Sequence, residues 1–89
     1  MTSAMNWELI LAGPAGKALK RMPASDQRRV LAALDGMEAD PFQGDIVRLK
    51  AQPTAWRRRV GDWRILFDVD PDRRLVIVHD ILRRTSTTY

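Results

Sequence analysis

The order of segments in this 89-residue chain predicts a small α+β domain. It reads as one strand, two helices and a meander of three antiparallel strands, with the helices packed on one face of a four-stranded sheet. Three observations carry the prediction. A short apolar run opens the chain, two stretches with apolar residues at helical spacing follow, and three β-rich runs separated by turn residues close it.

Asn6 to Leu11 is short and apolar and reads as the first strand, which Gly13-Pro14 breaks. Pro14 suits the first turn of a helix running to about Met22, with Ala18, Leu19 and Met22 as its apolar stripe and Pro23 as its stop. Ser25 is a natural N-cap for a second helix, and Asp26 in its first turn favours the helix dipole. Val30, Leu31, Leu34 and Met37 share one helical face, Arg28, Arg29, Asp35 and Glu38 take the wet side, and Asp40-Pro41 closes the helix. Residues 41–54 read as irregular, with Gly44 and Pro53 as breakers.

Residues 55–60 form the next strand and Gly61-Asp62 a tight turn. In the strand from Trp63 to Val69, Trp63, Ile65, Phe67 and Val69 share one face, and Arg64, Leu66 and Asp68 the other. Asp70-Pro71-Asp72-Arg73 is turn chemistry, and the β-branched run from Leu75 to Ile81 reads as a central, buried strand.

The length leaves room for one small domain, 1–89, and the 45% hydrophobic content is that of a globular protein. The chain has no cysteine and one histidine, His79, which excludes disulfides and cysteine or multi-histidine metal sites; no cofactor is called for. No apolar run approaches a membrane span of roughly 20 residues, and the first residues lack the pattern of a signal peptide, so the expected location is the cytoplasm. Gly13-Pro14-Ala15-Gly16-Lys17 lacks the spacing of a phosphate loop.

The charge is uneven. Residues 1–45 hold five Lys and Arg against six Asp and Glu, and residues 46–89 hold ten against five. Eight of the twelve arginines lie between Arg57 and Arg84. In the run Trp56-Arg57-Arg58-Arg59-Val60-Gly61-Asp62-Trp63-Arg64, strand alternation sends Arg57 and Arg59 to one face and Trp56, Arg58 and Val60 to the other. Arginine's planar fork of donors matches phosphate oxygens, so Arg57, Arg59 and Arg64 point to a phosphate-rich partner. The plainer reading is a solvated basic face or the landing site of an acidic protein. Trp56 and Trp63 share parity with Val60, Ile65 and Phe67 and read as core. His79 reads as a satisfied strand histidine.

That arginine run, the dipeptide Leu49-Lys50 and the closing Arg83-Arg84-Thr85-Ser86-Thr87-Thr88-Tyr89 resemble the RelE/ParE toxin superfamily over nearly the whole chain. The resemblance implies the toxin of a type II toxin–antitoxin pair, held inactive in a hetero-oligomer with its cognate antitoxin. In the RelE branch it implies metal-independent, ribosome-dependent cleavage of mRNA, with the ribosome and mRNA as partners. By that resemblance Arg57, Arg59, Arg64 and Arg83 bind the scissile phosphate, Arg84 adds an RNA contact, and Tyr89 stacks on a base and helps in proton transfer. Two further readings stand beside it: a ParE-like inhibitor of DNA gyrase without nuclease activity, and a binding-only, inactive homologue. The chain departs from the RelE pattern where lysine is frequent on the strand. Arginine does not give up its proton and His79 is expected within the last strand, so Tyr89 is left as the candidate base.

Overall fold

A computed structural model describes residues 6–50 and 55–84. Seven elements follow one another: β1 (Glu8–Leu11), α1 (Gly13–Arg21), α2 (Ala24–Ala39), β2 (Ile46–Arg48), β3 (Trp56–Val60), β4 (Trp63–Asp70) and β5 (Leu75–Arg83). The sheet has five strands in the order β1-β5-β4-β3-β2, not the expected four. The additional strand, β2, lies in the segment read as irregular. Its three residues, Ile46-Val47-Arg48, are too few to show a periodicity, and only pairing with β3 makes them a strand. The sheet is mixed, because β1 lies parallel to β5 while every other pair is antiparallel. The two helices form the long crossover that a parallel or distant partner strand requires.

Both helices start without a side-chain cap. Pro14 sits in the first turn of α1 as expected, but Pro23 occupies the N-cap position of α2 and Ser25 lies inside that helix. The expected Ser25 cap is therefore not formed. With its ring-fixed φ, Pro23 is already extended, so the helix begins two residues earlier, at Ala24.

One face of the sheet carries the core. Ala15 and Met22 from α1, and Val30, Ala33, Leu34 and Met37 from α2, are buried against Ile65, Phe67, Val76, Val78 and Ile81. The α2 stripe is thus i, i+3, i+4, i+7, with Ala33 where Leu31 was expected; Leu31 is exposed. Trp7, Trp56 and Trp63 pack partly buried against the rim of this core. Phe42 bridges two of them edge-on, its ring centroid 6.2 Å from Trp7 and 5.3 Å from Trp56.

Two irregularities position the opposite, open face. The Val60–Trp63 pair closes the Gly61-Asp62 hairpin, and Gly61 supplies the positive φ of 59° that the turn demands. Between β4 and β5 the register slips: Leu66 pairs with Asp80 and Phe67 with Val78, so His79 has no partner across the ladder. This β-bulge shifts alternation by one, and the buried residues of β5 are 76, 78 and 81. The run from Leu75 to Ile81 is central in the sheet as expected, but it is buried on the helix side only.

Candidate phosphate-binding site

The register puts Arg57 opposite Leu66 and Arg59 opposite Arg64. All four therefore project to the side away from the helices, while Trp56, Arg58 and Val60 face Phe67, Ile65 and Trp63. On the β5 side, Leu82 pairs with Arg64 and joins this open face. The outcome is a depression of about 470 Å³ lined by Arg48, Leu49, Lys50, Arg57, Arg64, Leu66 and Leu82. Three leucines form its apolar walls and Lys50, Arg57 and Arg64 bring charge to it, while Arg48 pairs with Trp56 in the ladder and carries its guanidinium over that ring.

The defining feature is the state of two donors. The Nε atoms of Arg57, Arg58 and Arg64 are buried without a hydrogen-bond partner among the described residues, and of the three Arg57 and Arg64 line the depression. A buried donor left unpaired costs about 1–3 kcal/mol, so a native site that leaves two of them is suited to an acceptor from outside. A phosphate oxygen meets that need, because it accepts from a guanidinium fork in a charge-assisted bond.

The four arginines expected to act together separate into three settings. Arg57 and Arg64 share the depression. Arg59 stands on the same face but turns to the sheet edge, where its Nε donates to Asp45 Oδ2 at 3.2 Å. Both partners of that ion pair are about half exposed, so it orients Arg59 more than it stabilises the fold. Arg83 goes elsewhere: it pairs with Trp63 on the helix side, its guanidinium carbon 5.7 Å from the ring centroid. The bulge causes this, since without it residue 83 would have the opposite parity. Arg84 extends the ladder by one bond, its N–H donating to the Asp62 carbonyl at 2.6 Å, and alternation turns it toward the open face of Leu82. Tyr89 lies outside the described residues, as does the tail from Thr85 onward.

Arg58 is structural, in keeping with its parity: its Nη1 donates to the Gln43 carbonyl at 3.2 Å. Gly44 makes room for it. A Cβ at that position would lie 2.7 Å from the Arg58 guanidinium carbon, and its φ of 91° suits glycine.

Arg48 and Lys50 were not singled out from the sequence as site residues, although Leu49-Lys50 belonged to the family-like pattern. Arg48 also lies over Trp56, 5.5 Å from its ring centroid. Their membership depends on β2, so no signal short of the sheet pairing reveals it. Asp68 binds a backbone amide and His79. Its Oδ1 accepts the Ala55 N–H at 2.6 Å and its Oδ2 lies 2.8 Å from His79 Nε2. Among the described residues no group of three His, Cys, Asp or Glu is placed to hold a metal ion, and no helix is long and apolar enough to cross a membrane.

Comparison with known proteins gives one relative by sequence and several by structure. A Methanocaldococcus jannaschii protein named as toxin RelE1 is 31% identical over 71 residues, covering 76% of this chain and 79% of that one. The RelE–RelB complex of Pyrococcus horikoshii OT3 contains a chain that superposes with a TM-score of 0.79 at 23% identity, covering 93% of this chain and all of the other. The isolated Escherichia coli RelE toxin superposes at 0.76 with 13% identity, covering 91% and 87%. At those identities the two structures establish the shared fold. No protein-family model matches the chain.

Proposed function

This chain belongs to the RelE/ParE toxin superfamily, and on that premise we propose that it is the toxin of a type II toxin–antitoxin pair and an endoribonuclease that cleaves mRNA on the ribosome. The observation that carries the reading is the placement of Arg57 and Arg64, each with a buried unpartnered Nε, together in one open depression; Arg58, whose Nε is in the same state, lies on the opposite face of the strand. A binding-only face would be served by solvated arginines. A phosphorane needs donors fixed in place before its charge develops.

In the proposed reaction the ribose 2′-oxygen attacks the adjacent phosphorus as the P–O5′ bond breaks. The products are a 2′,3′-cyclic phosphate and a 5′-hydroxyl. Arg57 and Arg64 hold the non-bridging oxygens, Arg59 and Arg84 guide the flanking backbone, and Lys50 adds charge at the rim. Arg83 supports the site through Trp63. Tyr89 stacks on a base, a contact worth about 1–3 kcal/mol. The partner that silences the site is an antitoxin whose acidic segment covers the depression, as a RelB chain accompanies RelE in the Pyrococcus horikoshii complex.

The test is controlled expression with mapping of mRNA 5′ ends, alongside Arg64→Ala and Tyr89→Phe. New cuts in translated messages, lost in Arg64→Ala, are expected. Growth arrest without such cuts overturns the nuclease reading. Gyrase-linked DNA damage in its place selects the ParE-like alternative.

A further inference from the structure

The arginines of the site cannot take the 2′-hydroxyl proton, so another group, Lys50 at the rim or one beside the depression, must act as general base. We propose that His79, oriented by Asp68, is that general base; the inference rests on the nuclease reading above.

Four observations place it there. His79 is the residue the bulge leaves without a cross-strand partner, and it projects to the open face, where Asp68 meets it. Bulges of this kind re-aim side chains beside active sites. Asp68 follows Leu66, which walls the depression, by two positions on the same face of β4, about 7 Å along the strand. The side chain is 42% exposed, open to a substrate and yet held on one side.

The hydrogen bond fixes the chemistry. A carboxylate only accepts, so the 2.8 Å contact to Asp68 Oδ2 requires the proton of neutral His79 on Nε2. Nδ1 then carries the free lone pair, and the described residues give it no partner. Asp68 is itself anchored, its Oδ1 accepting from the Ala55 N–H. This is the orienting arrangement in which a carboxylate sets an imidazole's tautomer and stabilises the imidazolium that forms. The other charged groups facing this part of the sheet are Arg57 on β3, Asp80 beside His79 on β5, and Glu8 on β1, opposite Leu75.

In the step, Nδ1 takes the 2′-hydroxyl proton as the O2′–P bond forms. The P–O5′ bond breaks and the 5′-oxygen takes a proton from water. Solvent exchange then returns the imidazolium to neutral imidazole, and no oxidant or metal enters.

The experiment measures single-turnover cleavage of mRNA on programmed ribosomes across pH, for the unaltered chain and for His79→Gln, His79→Ala and Lys50→Arg, with melting curves of each. Glutamine retains a donor for Asp68 and guards against misfolding. The expected result is a rate falling on the acid side in the unaltered chain. His79→Gln should be slower by about 10²- to 10⁴-fold, with that acid limb gone and ribosome binding intact. A merely structural histidine would scale the rate equally at every pH. Cleavage by His79→Gln at the original rate and profile overturns the assignment and leaves the nuclease reading standing. So does loss of the acid limb in Lys50→Arg instead. A substrate with sulfur at the 5′ leaving position, which needs no proton there, should not rescue His79→Gln; rescue would make His79 the acid. No cleavage by the unaltered chain overturns both proposals.

Discussion

Arg57 and Arg64 stand on neighbouring strands, two residues apart in register, lining the same depression, with both Nε atoms buried and without a partner among the described residues. The relationship sets function against stability. The fold tolerates two unmet donors where an anion would meet them.

Replacing one of those donors separates the two demands. Arg64→Met keeps the aliphatic stem and removes the unpaired donor, so the variant should melt no lower than the parent, and up to about 1 kcal/mol more stably. Its affinity for RNA should fall by at least tenfold. Inorganic phosphate should raise the melting temperature of the parent and leave that of Arg57→Met/Arg64→Met unmoved, by mass action on the folded state. Thermal melts with and without phosphate check both halves.

The two arginines at the end of the last strand should behave differently. Arg83 lies over Trp63 and Arg84 turns to the open face. Arg84→Ala should therefore reduce cleavage more than Arg83→Ala. Arg83→Ala should instead cost about 0.5–1 kcal/mol of stability from the lost cation–π contact, and alter Trp63 fluorescence. Equal kinetic losses would show that the tail rearranges on the substrate.

Gly44 offers a purely conformational test. Its φ of 91° is strained for any L side chain, and a Cβ would meet Arg58 at 2.7 Å. Gly44→Ala should cost about 1–3 kcal/mol and release Arg58 from the Gln43 carbonyl. Denaturant unfolding measures the loss.

Phe67 is fully buried where β4 meets the helices. Phe67→Ala should cost about 3–5 kcal/mol. Total stability in a domain of this size is only about 5–15 kcal/mol, so the loss removes a large share of it. Leu31→Ala on the exposed side of α2 should change stability by less than about 0.5 kcal/mol. Parallel melts of the two variants test which residues form the buried stripe of α2.

Much of this protein is legible in the order of its residues. Trp63, Ile65, Phe67 and Val69 alternate with Arg64, Leu66 and Asp68, and a strand has only two faces, so local alternation alone divides core from open side. The same parity separates Arg57 from Arg58. Gly61-Asp62 announces its turn because few residues accept a positive φ.

Long-range pairing decided the rest. Ile46-Val47-Arg48 carries no pattern of its own and becomes a strand by bonding to β3, which brings Arg48 and Lys50 to the depression. The bulge at His79 turns Arg83 from the open face to Trp63 and sets His79 beside Asp68. The one local hint was two polar residues, His79-Asp80, between the buried Val78 and Ile81, where alternation called for one. Local alternation is written in the chain because each residue constrains its neighbour. Register is settled between strands that are distant in sequence, where one extra residue reverses the face of every side chain after it.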